Sequence, residues 1–241
     1  MKKLFALVMA FMMVFSVTAT VSADANASWN AGKGTAAVDG QKDEVYAGAQ
    51  EIKMDVASDI PAGGAADDTA ASAWAVYDNE AIYFFVEVND SSLDDTSANV
   101  WEKDSIELRI DDKDHLVQAY AVSETYDGTS ASEVKVIKTD KGYNVEFKVP
   151  YATAEGASMK FSLQVNAASN GLRNNTLHTS DDLKDAWQNS DVFENLVFSS
   201  AAAADNEDVP KTGIISLDLI YGIGTVAAAA GALIIKSRKA K

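Results

Sequence analysis

Trp101 stands in a polar stretch just ahead of Ser105-Ile106-Glu107-Leu108-Arg109-Ile110, where three apolar residues alternate with a serine, a carboxylate and a guanidinium. In a strand this alternation sends Ile106, Leu108 and Ile110 to one face and shows Ser105, Glu107 and Arg109 to water. An indole beside a charged strand face is suited to a sugar. Pyranose faces carry C–H bonds that stack on aromatic rings, and carboxylates and amides satisfy hydroxyls that are otherwise desolvated unpaired. The same residues also fit a plain structural role, with Trp101 in the core or its rim and Glu107 paired with Arg109 on a solvated face.

Other candidates follow from parity and acid content. In Lys160–Asn166, Phe161, Leu163 and Val165 share one face and leave Ser162, Gln164 and Asn166 on the other, so Gln164, like Glu107, points away from an apolar face. Asp90, Asp94 and Asp95, and again Asp111, Asp112 and Asp114, form oxygen-rich loops that could hold a structural calcium, although solvated turns look the same. His115 and His178 are the only histidines and lie too far apart for a zinc motif. A histidine with Met54 or Met159 could ligate haem, yet nothing local points there. A glycosidase needs two carboxylates about 5–10 Å apart. Among 36 acids some pair meets that by chance, so no catalytic residue is assigned.

These residues must be positioned by strands. Short alternating runs at Ala73–Tyr77, Ala81–Val88, Ser105–Ile110, Leu116–Val122, Glu133–Ile137, Tyr143–Val149, Lys160–Asn166 and Val192–Phe198 are separated by turn residues. In Tyr143–Val149 the parity predicts Tyr143, Val145, Phe147 and Val149 inside, with Asn144, Glu146 and Lys148 outside. Between residues 30 and 200 there is no long amphipathic helix. The pattern predicts an all-β fold, a single jelly-roll-like β-sandwich over residues 30–200.

The two ends carry addresses. Lys2 and Lys3, an apolar run from Leu4 to Val17 and the small Val21-Ser22-Ala23 read as a signal peptide over residues 1–23. Residues 201–208 read as an acidic linker. Val209-Pro210-Lys211-Thr212-Gly213, the apolar stretch Ile214–Ile235 and the basic Lys236, Arg238, Lys239 and Lys241 follow. That order resembles a Gram-positive sortase sorting signal, with Val209 where leucine is usual. The resemblance implies a cut between Thr212 and Gly213 and covalent attachment to cell-wall peptidoglycan, the membrane holding the chain during sorting. A single-pass membrane anchor is the alternative, and either places the domain outside the cell. With no cysteine, a core rather than disulfides must hold it. The formal net charge is −16, and every acid but Asp218 lies between Asp24 and Asp208. Such a surface repels phosphate backbones, which excludes nucleic acid as a partner.

Read in order, Val38-Asp39-Gly40, Asp43-Glu44-Val45-Tyr46, Ala75–Asp78 before Ile82-Tyr83, Trp101–Asp111, Tyr143–Pro150, Phe161–Asn166 with Gly171 and Arg173, and Trp187 through Phe193 to Val197 resemble carbohydrate-binding module family 9 over about residues 35–198. The resemblance implies a tryptophan pair, Trp101 and Trp187, sandwiching a sugar whose hydroxyls bond Glu107 and Gln164. Two positions depart from the family pattern: Gln118 is nearest where an arginine is expected, and Lys184 stands in place of an asparagine. Arg109 could supply the missing guanidinium or serve only as an ion-pair partner. The implied function is non-catalytic capture of oligo- or polysaccharide at the cell surface with no required cofactor. An adhesin gripping a protein partner is the rival, and a haem-binding sandwich or glycoside hydrolase stands further off.

Overall fold

The computed structural model describes residues 26–58, 68–129 and 132–200. The strands are β1 (Ser28–Lys33), β2 (Ile52–Met54), β3 (Val56–Ser58), β4 (Ala70–Tyr77), β5 (Ala81–Asn89), β6 (Ser105–Ile110), β7 (Leu116–Tyr120), β8 (Thr125–Gly128), β9 (Glu133–Thr139), β10 (Gly142–Pro150), β11 (Ser158–Ser169), β12 (Leu172–His178) and β13 (Glu194–Phe198). One sheet runs β8-β7-β6-β11, after which the start of β11 pairs β13 and its end pairs β12, itself joined by β3. The other runs β9-β10-β5-β4, with β2 also on β4. The predicted all-β sandwich is the observed fold class. The segments read as signal peptide, linker and sorting signal lie outside the described residues.

β1 belongs to both sheets. Its Ser28–Ala31 run lies parallel to β13, and its Gly32 and Lys33 lie parallel to β4. Glycine is needed at the crossing, because a Cβ on Gly32 would stand 2.9 Å from the Gly48 carbonyl oxygen. Between the sheets, the apolar parity set Ile106, Leu108 and Ile110 meets Tyr143, Val145, Phe147 and Val149 in one core. Phe84 of β5 and Phe161 of β11 join the layers with ring centroids 5.7 Å apart.

The opposite parity set departs from expectation, because polar faces predicted to meet water are covered. On β10, Glu146 is fully buried under the segment before β2. Its carboxylate accepts the Asp39 and Gly40 N–H groups, each at 3.0 Å, and the Tyr46 hydroxyl at 2.8 Å. Burial pushes the Glu146 carboxyl above the usual range despite these donors. Around it Ala36, Tyr46, Ala49, Val76, Tyr83 and Phe85 form a second apolar layer, which explains why β5 is buried on both faces. On β6 the covered polar face is where the candidate residues sit.

Candidate functional site

Three neighbouring strands bring the polar residues into rows. The register places Glu107 of β6 beside Gln118 of β7 on one side and Gln164 of β11 on the other. The adjoining row sets Ser105 beside Asn166, and Arg109 lies beside Ser162. Expected in water, Glu107 and Arg109 are only 4% and 5% exposed, because loops wall in this face.

A buried polar face must satisfy itself. Arg109 Nη2 donates to Glu107 Oε2 at 2.5 Å. Asn166 Nδ2 donates to Glu107 Oε1 at 2.8 Å and to Ser105 Oγ at 3.0 Å, and its Oδ1 accepts Gln164 Nε2 at 2.6 Å. Gln118 Nε2 reaches Ser105 Oγ at 3.0 Å. Arg109 is less well served, since its Nε and Nη1 are buried without an acceptor. The ion pair is real, but one carboxylate meets only part of a five-donor guanidinium.

The tryptophans rise at the rim of this floor. Trp101 lies in the single turn Val100–Glu102. The Glu102 carboxylate accepts Ser97 Oγ at 2.7 Å and Asn99 Nδ2 at 3.0 Å, and these bonds hold its carboxyl below the usual range. Farther along, the buried Asp104 carboxylate accepts the N–H groups of Asp94 and Ala168, and Asp94 accepts the Gly171 N–H at 2.7 Å, so the loop is pinned to the β11–β12 hairpin. Burial, reinforced by the neighbouring Asp90, pushes the Asp104 carboxyl up to about 8. Trp187 follows the turn Asp181–Asp185, whose Leu183 packs with Ala186 and Phe193 in a small apolar cluster. That cluster anchors the turn and leaves the indole out, 61% exposed, against 52% for Trp101.

Trp101, Trp187, Glu107, Gln164 and Arg109 line one cavity of about 390 Å³, together with Arg173 and Lys184. The structure thus gathers residues drawn from four separate stretches of sequence. Arg173 Nη1 donates to the Trp101 carbonyl at 3.3 Å and tethers the Trp101 turn to β12. In the sequence Arg173 stands out only as part of a motif, because Leu172–His178 lacks the alternation that marks a strand. A second hollow of about 540 Å³ lies over β2 and β4, where Lys42 Nζ sits 2.9 Å from the centroid of Trp74. That cation occupies an indole face, so this hollow offers no open aromatic platform of the kind at Trp101 and Trp187.

The remaining candidates do not converge. The Asp111 carboxylate accepts the Tyr151 hydroxyl at 3.0 Å, and Asp112 accepts the Asp114 and His115 N–H groups at 2.8 and 3.0 Å. Asp114 takes the Lys113 ammonium at 2.7 Å. Among the described residues no group of three or more acids or histidines could hold a metal ion. Met54 and Met159 are buried in the core.

Comparison with known proteins bears on this geometry. Residues 38–201 match the family model described as carbohydrate family 9 binding domain-like. Endo-1,4-beta-xylanase A of Thermotoga neapolitana is 27% identical over 181 residues, 68% of this chain and 17% of that protein. Exoglucanase XynX of Acetivibrio thermocellus is 27% identical over 184 residues, 69% of this chain and 16% of that protein. The chain therefore spans less than a fifth of these curated relatives. A solved carbohydrate binding module family 9 from Caldicellulosiruptor kristjanssonii, in complex with cellotriose, aligns at TM-score 0.63 and 22% identity over 76% of this chain and 98% of its own. Another, in complex with glucose, aligns at 0.63 and 21% over 76% and 100%. At that identity the likeness establishes a shared fold.

Proposed function

The chain belongs to the carbohydrate family 9 binding domain-like family, and on that premise we propose that it captures saccharides without cleaving them, in the cavity between Trp101 and Trp187. The observation that carries this reading is the convergence of two exposed indoles with Glu107 and Gln164 on one cavity wall and floor. Stacking gives the sugar ring an apolar platform, and the carboxylate and carboxamide discriminate its hydroxyls. Glu107 is the one acid among the described lining residues, which leaves no carboxylate pair to act as acid and nucleophile across a glycosidic bond. The hydrolase names of the longer relatives are therefore not carried over. The solved relatives in complex with cellotriose and glucose make gluco-oligosaccharides the first ligands to assay.

Titration calorimetry with such oligosaccharides tests the reading, with Trp101→Ala and Trp187→Ala as controls. Saturable heat that both substitutions weaken supports it, and unchanged binding in both folded variants overturns the site.

Display on the cell surface forms the second part of the proposal. It is supported by the signal-like N-terminus and by Val209-Pro210-Lys211-Thr212-Gly213 ahead of an apolar stretch and basic tail. Mass spectrometry of wall digests should find a peptide ending at Thr212 joined to a cross-bridge amine. An intact C-terminus through Lys241, found in membranes and never on the wall, would replace sorting with a simple membrane anchor.

A further inference from the structure

The turn that carries Trp101 is not held by packing. None of the residues Val100–Glu102 is buried, and Asn99 ahead of them makes no side-chain cap. The Ser97 and Asn99 bonds to Glu102 lie within the same loop, so they shape the turn without tying it to a sheet. The Asp94 and Asp104 contacts anchor the flanks of the loop. An indole that stacks on a ligand also needs a fixed place above the floor, because ordering it at the moment of binding costs affinity.

Two residues of the floor supply that place. Gln118 Nε2 donates to the Val100 carbonyl at 3.3 Å and to Ser105 Oγ at 3.0 Å. Ser105 Oγ donates in turn to the Lys103 carbonyl at 3.1 Å, so the backbone is gripped on both sides of Trp101. The same hydroxyl accepts Asn166 Nδ2, which also donates to Glu107 Oε1. A hydroxyl has one proton and two lone pairs and an amide nitrogen has two hydrogens, so Ser105 Oγ, Gln118 Nε2 and Asn166 Nδ2 are all fully used. An unbroken run of bonds therefore leads from the Glu107 carboxylate to the Trp101 turn, and Ser105, Asn166 and Gln118 are buried along it. Neither Ser105 nor Gln118 lines the cavity. Arg173 also bonds the Trp101 carbonyl, but it lines the cavity itself, so its loss would mix positioning with contact.

Building on the saccharide reading, we propose that Gln118 and Ser105 are positioning residues that set the Trp101 indole against the Glu107 floor. The stacking wall and the hydroxyl-reading floor then act as one unit, although the two residues that join them touch no ligand.

The test is a double-mutant cycle read by titration calorimetry on the full chain, with cellotriose as the probe. Gln118→Met keeps the length of the side chain and removes its donors. It should weaken binding about three- to tenfold, the size of one net hydrogen bond. Placed on Trp101→Ala, the same substitution should change Kd by less than about twofold, because no indole is left to position. Ser105→Ala repeats the cycle through the other arm and takes the place of Gln118→Met should circular dichroism show that variant unfolded. Unchanged affinity in the folded variant, or an equal loss with and without Trp101, overturns the positioning role and leaves the saccharide reading standing. Folded wild-type protein that binds neither cellotriose nor any other saccharide overturns both.

Discussion

Trp187→Ala separates a binding surface from a structural tryptophan, and its size can be worked from exposure. A tryptophan offers on the order of 250 Å². With 61% of Trp187 open, roughly 150 Å² is available, and a sugar stacked on one face covers about half of that. At about 25 cal/mol per Å² the loss on truncation is about 2 kcal/mol, or roughly 25-fold in Kd. Trp101 is 52% open and the same reasoning gives about 1.6 kcal/mol, roughly 15-fold. The cost to folding stays moderate because each ring is only partly packed, whereas truncating a core aromatic costs about 3–5 kcal/mol. Titration calorimetry supplies the binding numbers and near-ultraviolet circular dichroism checks the fold. If Trp187→Ala unfolds the domain, the indole supports the Leu183–Phe193 cluster. If the variant is folded and Kd is unchanged, stacking at Trp187 is refuted.

Glu107→Gln breaks a buried ion pair and leaves Arg109 with almost no compensation, so scanning calorimetry should show a loss of about 3 kcal/mol, roughly 10 °C in midpoint. Stability unchanged in this variant would mean that the pair contributes nothing to the fold. The midpoint should also fall as pH rises from about 4 to about 8. Folded Asp104 keeps its proton up to about 8, whereas the unfolded chain releases it near 3.8, so across that window the unfolded state binds fewer protons and alkali favours it. Asp90 and Glu146, both raised by burial, act in the same direction. Asp94, held low chiefly by the Thr96 hydroxyl and the Gly171 N–H, acts oppositely, its contribution being lost only as acid protonates it below the ordinary carboxylate range. A midpoint that climbs through this window in thermal melts refutes the buried-acid account. Melts in calcium and in EDTA should coincide, because Asp111, Asp112 and Asp114 are engaged with separate donors; a rise of several degrees in calcium would reinstate a metal site there.

Much of the fold was legible because strand parity is a strong signal wherever one face is apolar. Ile106, Leu108 and Ile110, and the set from Tyr143 to Val149, fall in the core where alternation places them. Parity cannot tell a face open to water from one covered by other polar groups. That is why Glu107, Arg109 and Glu146 were expected outside, and why each is buried in a hydrogen-bonded network instead. β12 escaped for a related reason, since Leu172-Arg173-Asn174-Asn175-Thr176 offers no apolar rhythm although its backbone pairs with β11 and β3. β8 is wholly exposed and β1 is shared between sheets, so neither has a clean inward face to read. The tryptophans and the polar pair were legible through ordered motifs. The cationic side of the cavity was not, because Arg173 and Lys184 meet Arg109 only in three dimensions.

The parallel pairing of β1 with β13 also has a mechanical meaning. Ser28 lies beside Asn195 and Ala31 beside Phe198, so the incoming and outgoing chain leave this pair at opposite ends. Pulling on the two ends therefore loads the rungs in shear, all together, instead of peeling them one at a time. Forced unfolding is governed by the unfolding rate, and shear raises the number of bonds that must yield in a single step. The seam is therefore strongest against tension applied between the domain's own two ends.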